Sequence, residues 1–541
     1  MTNKIILRPG VHIGEPAAEY DTEFLKECFV DLPIVEQIRD MNSSKCILLG
    51  RTGSGKTAIL KHIEETSGQS IRIEPATISF DYIGNSNIIA FLISVGCDVR
   101  LLFQLLWKHI LCTKAIKCYF ESRSVFEKAL DRISSADRTA RTYFEKYGDR
   151  FWVEHDEALR EISTGFEQKL ASELRGSLGD DFAKVEAGLA AHLKVSAAQR
   201  KEIVARTKRA VSELQIRELA HAIEALNELM ENRQKNYYII IDDLDLDWAD
   251  NEIKHGLIRA LIESVRSFRK IRNVKVLVAL RSDLYERAIS LSDAEGIQPE
   301  KFEGITVVIK WNQRELRSLV EKRINHLFRY KYIKQGIKLY DVFPQTVRKQ
   351  DTFEYLVERT LMRPRDIIAF VNIILDRAAG SANVSPRNIT DAEAEYSKKR
   401  YQALCHEWMT LHPCLDIYLK FLRERTGKNE VKYIAVRELI VDICLEVDDA
   451  LPEGAHRDIV VRQCDVYSKR ENEYRMRDVA FALLSVLYKV GAIHLKLSKG
   501  DVYKASYRDE PFILPEQITL DAAFTVSPVL WRTLGITPNL G

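Results

Sequence analysis

The sequence lacks the features that would mark a secreted, membrane-spanning or zinc-binding protein. Its nine cysteines are scattered and none belongs to a CxxC pair, which favours structural thiols in a reducing compartment. The N-terminus, MTNKIILRPG, has no long apolar run, so a signal peptide is not expected. Charged side chains interrupt the most hydrophobic stretch, residues 88–112, whereas a membrane helix needs about 20 largely uncharged residues. We therefore expect a cytoplasmic protein without a membrane segment, in which 88–112 forms a buried or amphipathic helix pair.

An excess of one charge is also absent. The chain has 80 basic and 78 acidic residues, a net charge of +2, so no global signal indicates nucleic acid or a membrane surface. Its 46% hydrophobic and 29% charged residues are typical of folded chains and exclude large-scale disorder. A single core stops growing near roughly 250–300 residues, so 541 residues predict several domains.

One cysteine and histidine cluster, Cys405, His406, His412 and Cys414, has the ligand types that zinc prefers. Its spacing matches no common zinc module, and the apolar residues between its members indicate a packed helix end. We therefore favour core or surface roles for these four residues over a metal site.

Apolar, β-branched runs predict strands at 45–49, 70–80, 237–241, 274–280 and 305–311. Such runs are typical of a parallel sheet covered by helices on both faces. The stretch between the second and third runs is charged and has helical periodicity, and residues 312–395 look all-helical. Near the C-terminus, YKVGAIHLKL and VYKASYR are separated by SKGD, which predicts a β-hairpin.

The segment GRTGSGKT, residues 50–57, fits the P-loop pattern GxxxxGK[ST] and lies between a predicted strand and a predicted helix. Glycines let backbone N–H groups approach phosphate oxygens, and the helix turns its positive end toward the anion. Lys56 supplies a charge for the β and γ phosphates, and Thr57 a hydroxyl for Mg²⁺. A chance match on a surface loop is the alternative. The predicted ATP-binding residues are Gly50, Thr52, Gly53, Ser54, Gly55, Lys56, Thr57 and Ala58.

A second signal is YYIIIDDLDLD, in which a hydrophobic strand ends at Asp242. A carboxylate at this position can help to hold the magnesium ion, and Asp243 can orient or deprotonate the attacking water. Asp245 is a weaker candidate for a supporting or helix-capping group. The alternative is an acidic turn after a core strand, although four aspartates in six residues repel one another unless a cation offsets them.

Two further segments supply arginines. The strand VKVLVAL is followed by Arg281, and ligands of such sheets lie beyond the carboxyl ends of the strands, so Arg281 is a candidate for contacting the γ-phosphate. In LMRPRDIIAFVNIIL, Pro364 marks a helix start, and Arg363 or Arg365 is placed to reach the nucleotide from a lid. Exposed arginines at a turn and at a helix end are the alternatives.

The order of these motifs resembles that of AAA+-like and STAND-like bacterial P-loop ATPases, near the KAP-type and origin-recognition-type ATPases, over about 20–80 and 237–380. The resemblance implies Walker A roles for Lys56 and Thr57, the Walker B magnesium role for Asp242, and the catalytic carboxylate role for Asp243. It implies sensor 1 for Arg281 and sensor 2 for Arg363 or Arg365. Many active members have Asp-Glu where this chain has Asp-Asp, which favours a slow switch. Members of this group are often found in antiviral defence islands.

The predicted fold class is α/β, a P-loop parallel-sheet ATPase core with a large helical insertion, a helical lid and a C-terminal winged-helix-like domain. The predicted divisions are the first part of the core (1–80), the insertion (81–236), the second part of the core (237–312), the lid (313–395) and the C-terminal domain (396–541). Lys496, Lys499, Lys504 and Arg508 would lie on the wing. We favour a regulatory clamp over DNA contact for this domain.

These features predict a magnesium-dependent ATP switch, active as a homo-oligomer with an effector protein partner and belonging to an antiphage defence complex. The arginine that would act across subunits is not identified, and Arg266, Arg269, Arg272 and Arg287 are all candidates. One alternative is an ATPase that loads or remodels DNA through a winged helix. Another is a scaffold subunit in which ATP is structural.

Overall fold

The computed structural model describes most of the chain. The described residues are 6–77, 86–97, 99–123, 134–147, 168–176, 178–188, 195–214, 217–231, 235–246, 248, 251–290, 300–331, 336–425, 431–432, 436, 439–450, 452, 455–469 and 473–536. The strands in chain order are β1 (Ile47–Gly50), β2 (Ser70–Ile73), β3 (Tyr237–Ile241), β4 (Val274–Arg281), β5 (Thr306–Val308), β6 (Thr346–Val347), β7 (Gln350–Asp351), β8 (Val431–Lys432), β9 (Ile493–Lys496) and β10 (Ala523–Val526).

Helices make up most of the described chain. In chain order they are α1 (Thr22–Glu27), α2 (Pro33–Arg39), α3 (Lys56–Ser67), α4 (Asn87–Ser94), α5 (Arg100–Glu121), α6 (Ser135–Tyr147), α7 (Phe182–Glu186), α8 (Ala197–Leu214), α9 (Arg217–Glu231), α10 (Asn251–Phe268), α11 (Ser282–Ser290), α12 (Glu300–Glu303), α13 (Gln313–Lys331), α14 (Leu339–Val342), α15 (Thr352–Glu358), α16 (Pro364–Arg377), α17 (Pro386–Trp408), α18 (Leu415–Arg425), α19 (Ile440–Ala450), α20 (Ile459–Lys469), α21 (Glu473–Val490) and α22 (Trp531–Leu534). Among the described residues, no helix is both long and apolar enough to cross a membrane.

The larger sheet has five strands in the order β2-β3-β4-β1-β5, and every pair in it is parallel. Every residue of β1 and of β3 is buried, because helices cover both faces of a parallel sheet. The predicted parallel sheet is therefore confirmed. A mostly helical chain with this sheet is consistent with the α/β core of a P-loop ATPase.

Two of the five strands are much shorter than the sequence predicts. The second strand ends at Ile73 and gives way to a 3₁₀ turn at Pro75–Thr77, since proline has no N–H to continue a ladder. Residues 78–80 of that prediction lie outside the described residues. The fifth strand covers only Thr306–Val308, and Val308 is 51% exposed at the sheet edge.

The chain divides into two compact units. The unit containing the larger sheet comprises residues 32–51 and 56–309, so the helices of the predicted insertion pack in the same unit as the sheet. The run 88–112 forms α4 and the first part of α5, which confirms the predicted helix pair. Trp107 of α5 is fully buried and its indole N–H donates to the Leu257 carbonyl of α10, 2.9 Å away. Gly256 permits this packing, because an added Cβ would lie 3.1 Å from the Phe103 ring.

The other unit comprises residues 1–31, 52–55 and 310–541 and is mainly helical. Its predicted all-helical part also contains a small hairpin of β6 and β7, which turns through Arg348 and Lys349 at φ 50° and 66°. Positive φ at both central residues is the geometry of a type I′ hairpin turn.

The predicted C-terminal hairpin is present only as a single antiparallel bridge. The regular partner of β9 is β10, and β10 also pairs with β8, giving an antiparallel sheet in the order β8-β10-β9. Of VYKASYR, only Lys504 pairs with β9, through one bridge to Leu495. The chain leaves the strand there because the Asp509 carboxylate accepts from the Ala505 N–H and the Asp509 N–H donates to the Ala505 carbonyl, closing a turn.

Candidate functional site

The predicted site residues of the larger sheet lie at the carboxyl ends of its strands. Gly50, the last residue of β1, is in register with Arg281, the last residue of β4. Asp242 directly follows β3, which is the other neighbour of β4. Parallel strands end at a common edge, and ligands of open α/β sheets bind there.

Lys56 begins α3, and its ammonium group is held against the backbone that precedes it. It donates to the Gly50 carbonyl at 3.1 Å and to the Arg51 carbonyl at 3.2 Å. These contacts keep the charge of the side chain next to the end of β1, where the N-terminal end of α3 also attracts anions.

Asp242 is 5% exposed and lies beside the first turn of α3. Its carboxylate is hydrogen-bonded by Thr57, and its Oδ1 accepts from the Asp243 N–H at 3.0 Å. Burial raises the pKa of Asp242 above the ordinary value, while these two hydrogen bonds and the positive charges of Arg72 and Lys56 oppose the rise. The P-loop residue Thr57 and the strand-end Asp242 therefore meet, although 184 positions of sequence separate residues 57 and 242.

Arg72 is a residue of this site that sequence reasoning missed. It lies on β2, where its Nε and Nη2 donate to one Glu64 oxygen at 3.0 and 2.8 Å. Its Nη1 lies 3.5 Å from Asp242 Oδ2. A basic residue inside the short strand SIRI was the available signal, but the pairing of β2 with β3 is what brings it to Asp242.

The donor set fits a magnesium ion. Within the described residues, the buried Oδ2 of Asp242 receives no hydrogen bond and has a long ion pair with Arg72 at 3.5 Å, so this oxygen can coordinate another cation. The Thr57 hydroxyl, hydrogen-bonded to the same carboxylate, would be a second oxygen ligand. Mg²⁺ prefers such hard oxygen ligands, takes few of them from protein and keeps several waters.

Asp243 has φ 59°, in the left-handed region. Aspartate tolerates this conformation better than most residues, and such backbone outliers concentrate at functional sites. The left-handed residue after Asp242 therefore breaks the extended backbone that continues from β3.

Arg281 is held by two aspartates of the same unit. Its Nε and Nη2 donate to the two Asp283 oxygens, both at 2.9 Å, and its Nη1 lies 3.5 Å from Asp245 Oδ2. Asp245, predicted as a supporting group, thus lies beside the arginine that ends β4.

The central residues of the P-loop, Thr52–Gly55, belong to the unit that contains the predicted lid. Gly53 and Gly55 have φ 77° and 94°, which favours glycine at both positions. The Arg363 guanidinium, 2% exposed, donates to the Thr52 carbonyl at 3.0 Å and to Glu407 at 2.9 Å. The Arg365 N–H donates to the Gly53 carbonyl at 3.4 Å. Both residues therefore bond to the loop backbone, Arg363 through its buried side chain and Arg365 through its backbone N–H. The Arg365 residue is only partly buried.

Trp311 is a second residue that sequence reasoning missed. Its indole N–H donates to the Ser54 carbonyl at 2.8 Å, and an added Cβ on Gly55 would lie 3.7 Å from the ring. The tryptophan thus supports the loop where its backbone must remain accessible to a ligand.

The cysteine and histidine cluster is dispersed. His412 Nδ1 lies 3.3 Å from the buried Asp458 carboxylate, while His406 is exposed. In the part of the chain that the structure describes, no group of three or more metal-ligating side chains occurs. Of the four candidate trans-acting arginines, Arg287 is buried and Arg266, Arg269 and Arg272 are exposed.

Three of the four predicted wing cations have partners within their own unit. Lys504 is paired with Glu510 at 2.6 Å, and Arg508 with Asp509 at 3.3 Å. The Lys496 ammonium lies 4.9 Å from the centre of the Tyr503 ring. These contacts reduce the positive charge available to a nucleic acid, and DNA contact by this element stays a prediction.

Comparison with known proteins gives partial matches. Residues 314–405, from α13 into α17, match the family model of the FunZ-associated C-terminal helical domain. The putative transposon gamma-delta 80.3 kDa protein of Escherichia coli (strain K12) is 22% identical over 202 residues, which are 36% of this chain. The match spans only 28% of that relative's length.

Solved structures resemble the chain distantly. The Walker-type ATPase PABY2304 of Pyrococcus abyssi is 14% identical, with 97% of this chain and 98% of that chain covered and a TM-score of 0.35. The Aeropyrum pernix ORC2 protein, in ADPNP–ADP complexes, is 12% identical, with coverages of 91% and 85% and a TM-score of 0.34. At such TM-scores neither structure assigns a function to this chain.

Proposed function

We propose that this chain binds ATP with Mg²⁺ at residues 50–58 and hydrolyses it slowly, as a conformational switch. The observation that carries this proposal is the contact of Thr57 with Asp242, beside the Lys56 ammonium. An acidic turn without a function would not need its buried carboxylate to meet the hydroxyl of a P-loop.

The P-loop residues bind the phosphates in this proposal. Backbone N–H groups of the loop and of the first turn of α3 donate to phosphate oxygens, with glycines at the two left-handed positions. Lys56 exchanges contacts with the Gly50 and Arg51 carbonyls for contacts with the β and γ phosphates.

Thr57 and Asp242 would hold the magnesium ion, and the positive charge of Arg72 would oppose the rise that burial causes in the pKa of Asp242. When bound, the ion supplies charge neutralisation at the phosphate oxygens. Glu64 gives the Arg72 guanidinium a second acidic partner, so Arg72 need not remain beside Asp242 when another cation binds there.

Asp243 is the proposed base. It orients the attacking water and takes its proton as the water oxygen bonds to the terminal phosphorus and ADP leaves. Aspartate reaches less far than the glutamate common in fast relatives, which supports a slow switch. Sensing of the γ-phosphate by Arg281, and by Arg363 or Arg365, belongs to the same proposal.

The biological setting is inferred from the resemblance of the motifs. From that resemblance we propose that the chain forms a homo-oligomer and acts with an effector protein in antiphage defence. The match to a domain named for its association with FunZ is compatible with a partner. The putative transposon gamma-delta protein is matched over only 28% of its length and does not define the setting.

Asp243→Asn tests the hydrolytic role. The variant retains the size of the side chain but loses the basic oxygen, so ATP binding persists while turnover falls by about 10²-fold or more. Binding is measured by calorimetry and turnover by phosphate release on the same preparation. Normal turnover in Asp243→Asn refutes its role as the base. If the wild-type protein binds ATP tightly but does not hydrolyse it, the scaffold alternative is favoured.

A further inference from the structure

A second polar cavity opens at the amino edge of the larger sheet, in the unit of residues 32–51 and 56–309. Its volume is about 440 Å³, and its walls come from the segment before β1, the end of α10 and the start of β4. Pockets for small ligands typically measure about 300–1,000 Å³. The eight residues of β4 separate this edge from Arg281 by about 23 Å, at roughly 3.3 Å per residue. The cavity is therefore distinct from the P-loop site.

The charged lining of this cavity is entirely cationic. Among the described residues, Arg269, Arg272 and Lys275 line it and no acidic side chain does, while serines 43 and 44 and Asn42 add neutral polar groups. Val265, Ile271 and Val276 supply apolar wall. A cavity lined by positive charges and by an apolar wall is suited to a ligand that has a negative group attached to an uncharged part.

Lys275 is 6% exposed and forms the floor. Its ammonium donates to the Asp40 carbonyl at 2.6 Å and to the Ser43 carbonyl at 3.3 Å. Burial lowers the pKa of Lys275 to about 8; Cys46 and Asp40 oppose this change, and the positive charge of Arg269 adds to it. Lys275 and Arg269 thus place two positive charges close together, an arrangement that an anion would relieve.

The two arginines at the rim differ in their partners. Arg272 is paired with Glu231 at 2.8 Å, but both side chains are largely exposed, and such pairs contribute little and exchange readily. Arg269 is exposed and forms no ion pair with any described residue. The guanidinium of Arg269 is the group most available for a phosphate or carboxylate.

We propose that this cavity binds a phosphate-bearing small molecule of nucleotide size, with Arg269 as the principal phosphate contact. Lys275 supplies the positive field from the floor, and the apolar wall accommodates the uncharged part of the ligand. This site is independent of the ATP site. Its lining includes Arg269 and Arg272, two of the residues that the sequence suggests as trans-acting arginines.

The test uses full-length protein with Lys56→Ala, which disables the P-loop and leaves the second cavity intact. Pyrophosphate is titrated by calorimetry into this protein, into Lys56→Ala/Arg269→Glu and into Lys56→Ala/Lys270→Glu. Lys270 is the exposed neighbour of Arg269, outside the cavity, so its reversal makes the same change in net charge. We expect one pyrophosphate per chain. Arg269→Glu should weaken its binding about tenfold or more, because a charge-assisted contact is lost, and Lys270→Glu should leave it about unchanged.

Titration of ADP into the same proteins distinguishes the source of the phosphate. Tighter binding of ADP than of pyrophosphate indicates a nucleotide that also uses the apolar wall, and equal binding indicates the phosphate group alone. The proposal is overturned if Lys56→Ala protein binds neither pyrophosphate nor ADP, or if the two charge reversals weaken binding equally. None of these results bears on the proposed ATP site, because that site is tested separately in protein that retains Lys56.

Discussion

Asp242 and Arg363 are buried charges at the two places where the sequence predicts contact with a nucleotide. Asp242 is balanced by Arg72 and Lys56 and is hydrogen-bonded by Thr57. Arg363 is bonded to Glu407 and to a P-loop carbonyl. A buried charge is tolerated when partners satisfy it, and removal of one partner leaves the other desolvated.

Arg363→Ala is predicted to lower the free energy of unfolding by about 2–3 kcal/mol, since it removes the buried partner that Glu407 has at 2.9 Å and leaves the longer pair with Arg400 at 4.0 Å. Arg377→Ala is the matched control, because the Arg377 pair with Glu395 is 53% and 36% exposed and contributes less than about 1 kcal/mol. Denaturant unfolding of both variants measures the difference. Equal losses would show that Arg363 has no structural role beyond that of a surface arginine.

The residues that could be predicted from the sequence are those fixed by local spacing. Lys56 and Thr57 follow a glycine-rich turn, and Asp242 follows an uninterrupted apolar strand, so each carries its own signal. Arg72 and Trp311 have no such signal, because their roles depend on which strands are neighbours and on a contact across 257 positions of sequence. Both roles are set by tertiary contacts, which the local sequence around each residue does not reveal.

At the scale of elements, strands and helices with strong periodicity follow the sequence, and elements at edges do not. All five residues of the apolar run YYIII form β3, in the interior of the sheet. The run VYKASYR fails as a strand because the turn at Ala505 and Asp509 supplies hydrogen bonds that compete with a ladder. Local polar groups and proline therefore decide where a marginal strand ends.

The geometry of the P-loop turn predicts that Gly53 cannot be replaced without cost. Gly53→Ala combines a left-handed φ of 77° with a Cβ only 2.8 Å from the Arg365 Cβ. The conformation alone costs about 1–2 kcal/mol, and the close contact requires the loop backbone to shift. We expect lower thermal stability and markedly weaker ATP binding.

Gly68→Ala is the control for that prediction. Gly68 also has a positive φ, 67°, but no atom lies within 4 Å of an added Cβ. It should show only the conformational cost and bind ATP as the wild type does. Equal ATP affinities of the two variants would contradict the importance of the close approach at Gly53.

At the scale of the whole molecule, the chain has two compact units, and the central P-loop residues are grouped with the unit of the predicted lid. The sequence predicts five divisions, and it does not predict that the helices of 81–236 pack in the same unit as the sheet. The reason lies in contacts such as that of Trp107 with α10, which sequence periodicity does not reveal.

The proposed oligomer predicts how turnover depends on concentration. An arginine supplied by a neighbouring subunit contributes about 10³–10⁵ in rate in related chemistry. Phosphate release per chain should therefore rise as the protein is concentrated through its assembly range, as followed by mass measurement. A rate per chain that stays constant while the mass changes would exclude activation by assembly.

The most direct test of the central claim is the magnesium dependence of ATP affinity in wild type, Asp242→Asn and Asp376→Asn, an exposed control on α16. Calorimetric titrations with and without Mg²⁺ should show that the ion tightens ATP binding about tenfold or more in the wild type and the control. Asp242→Asn should lose that gain while still binding ATP through Lys56. An undiminished magnesium effect in Asp242→Asn would contradict the account, since Thr57 and Asp242 would then not share one metal ion.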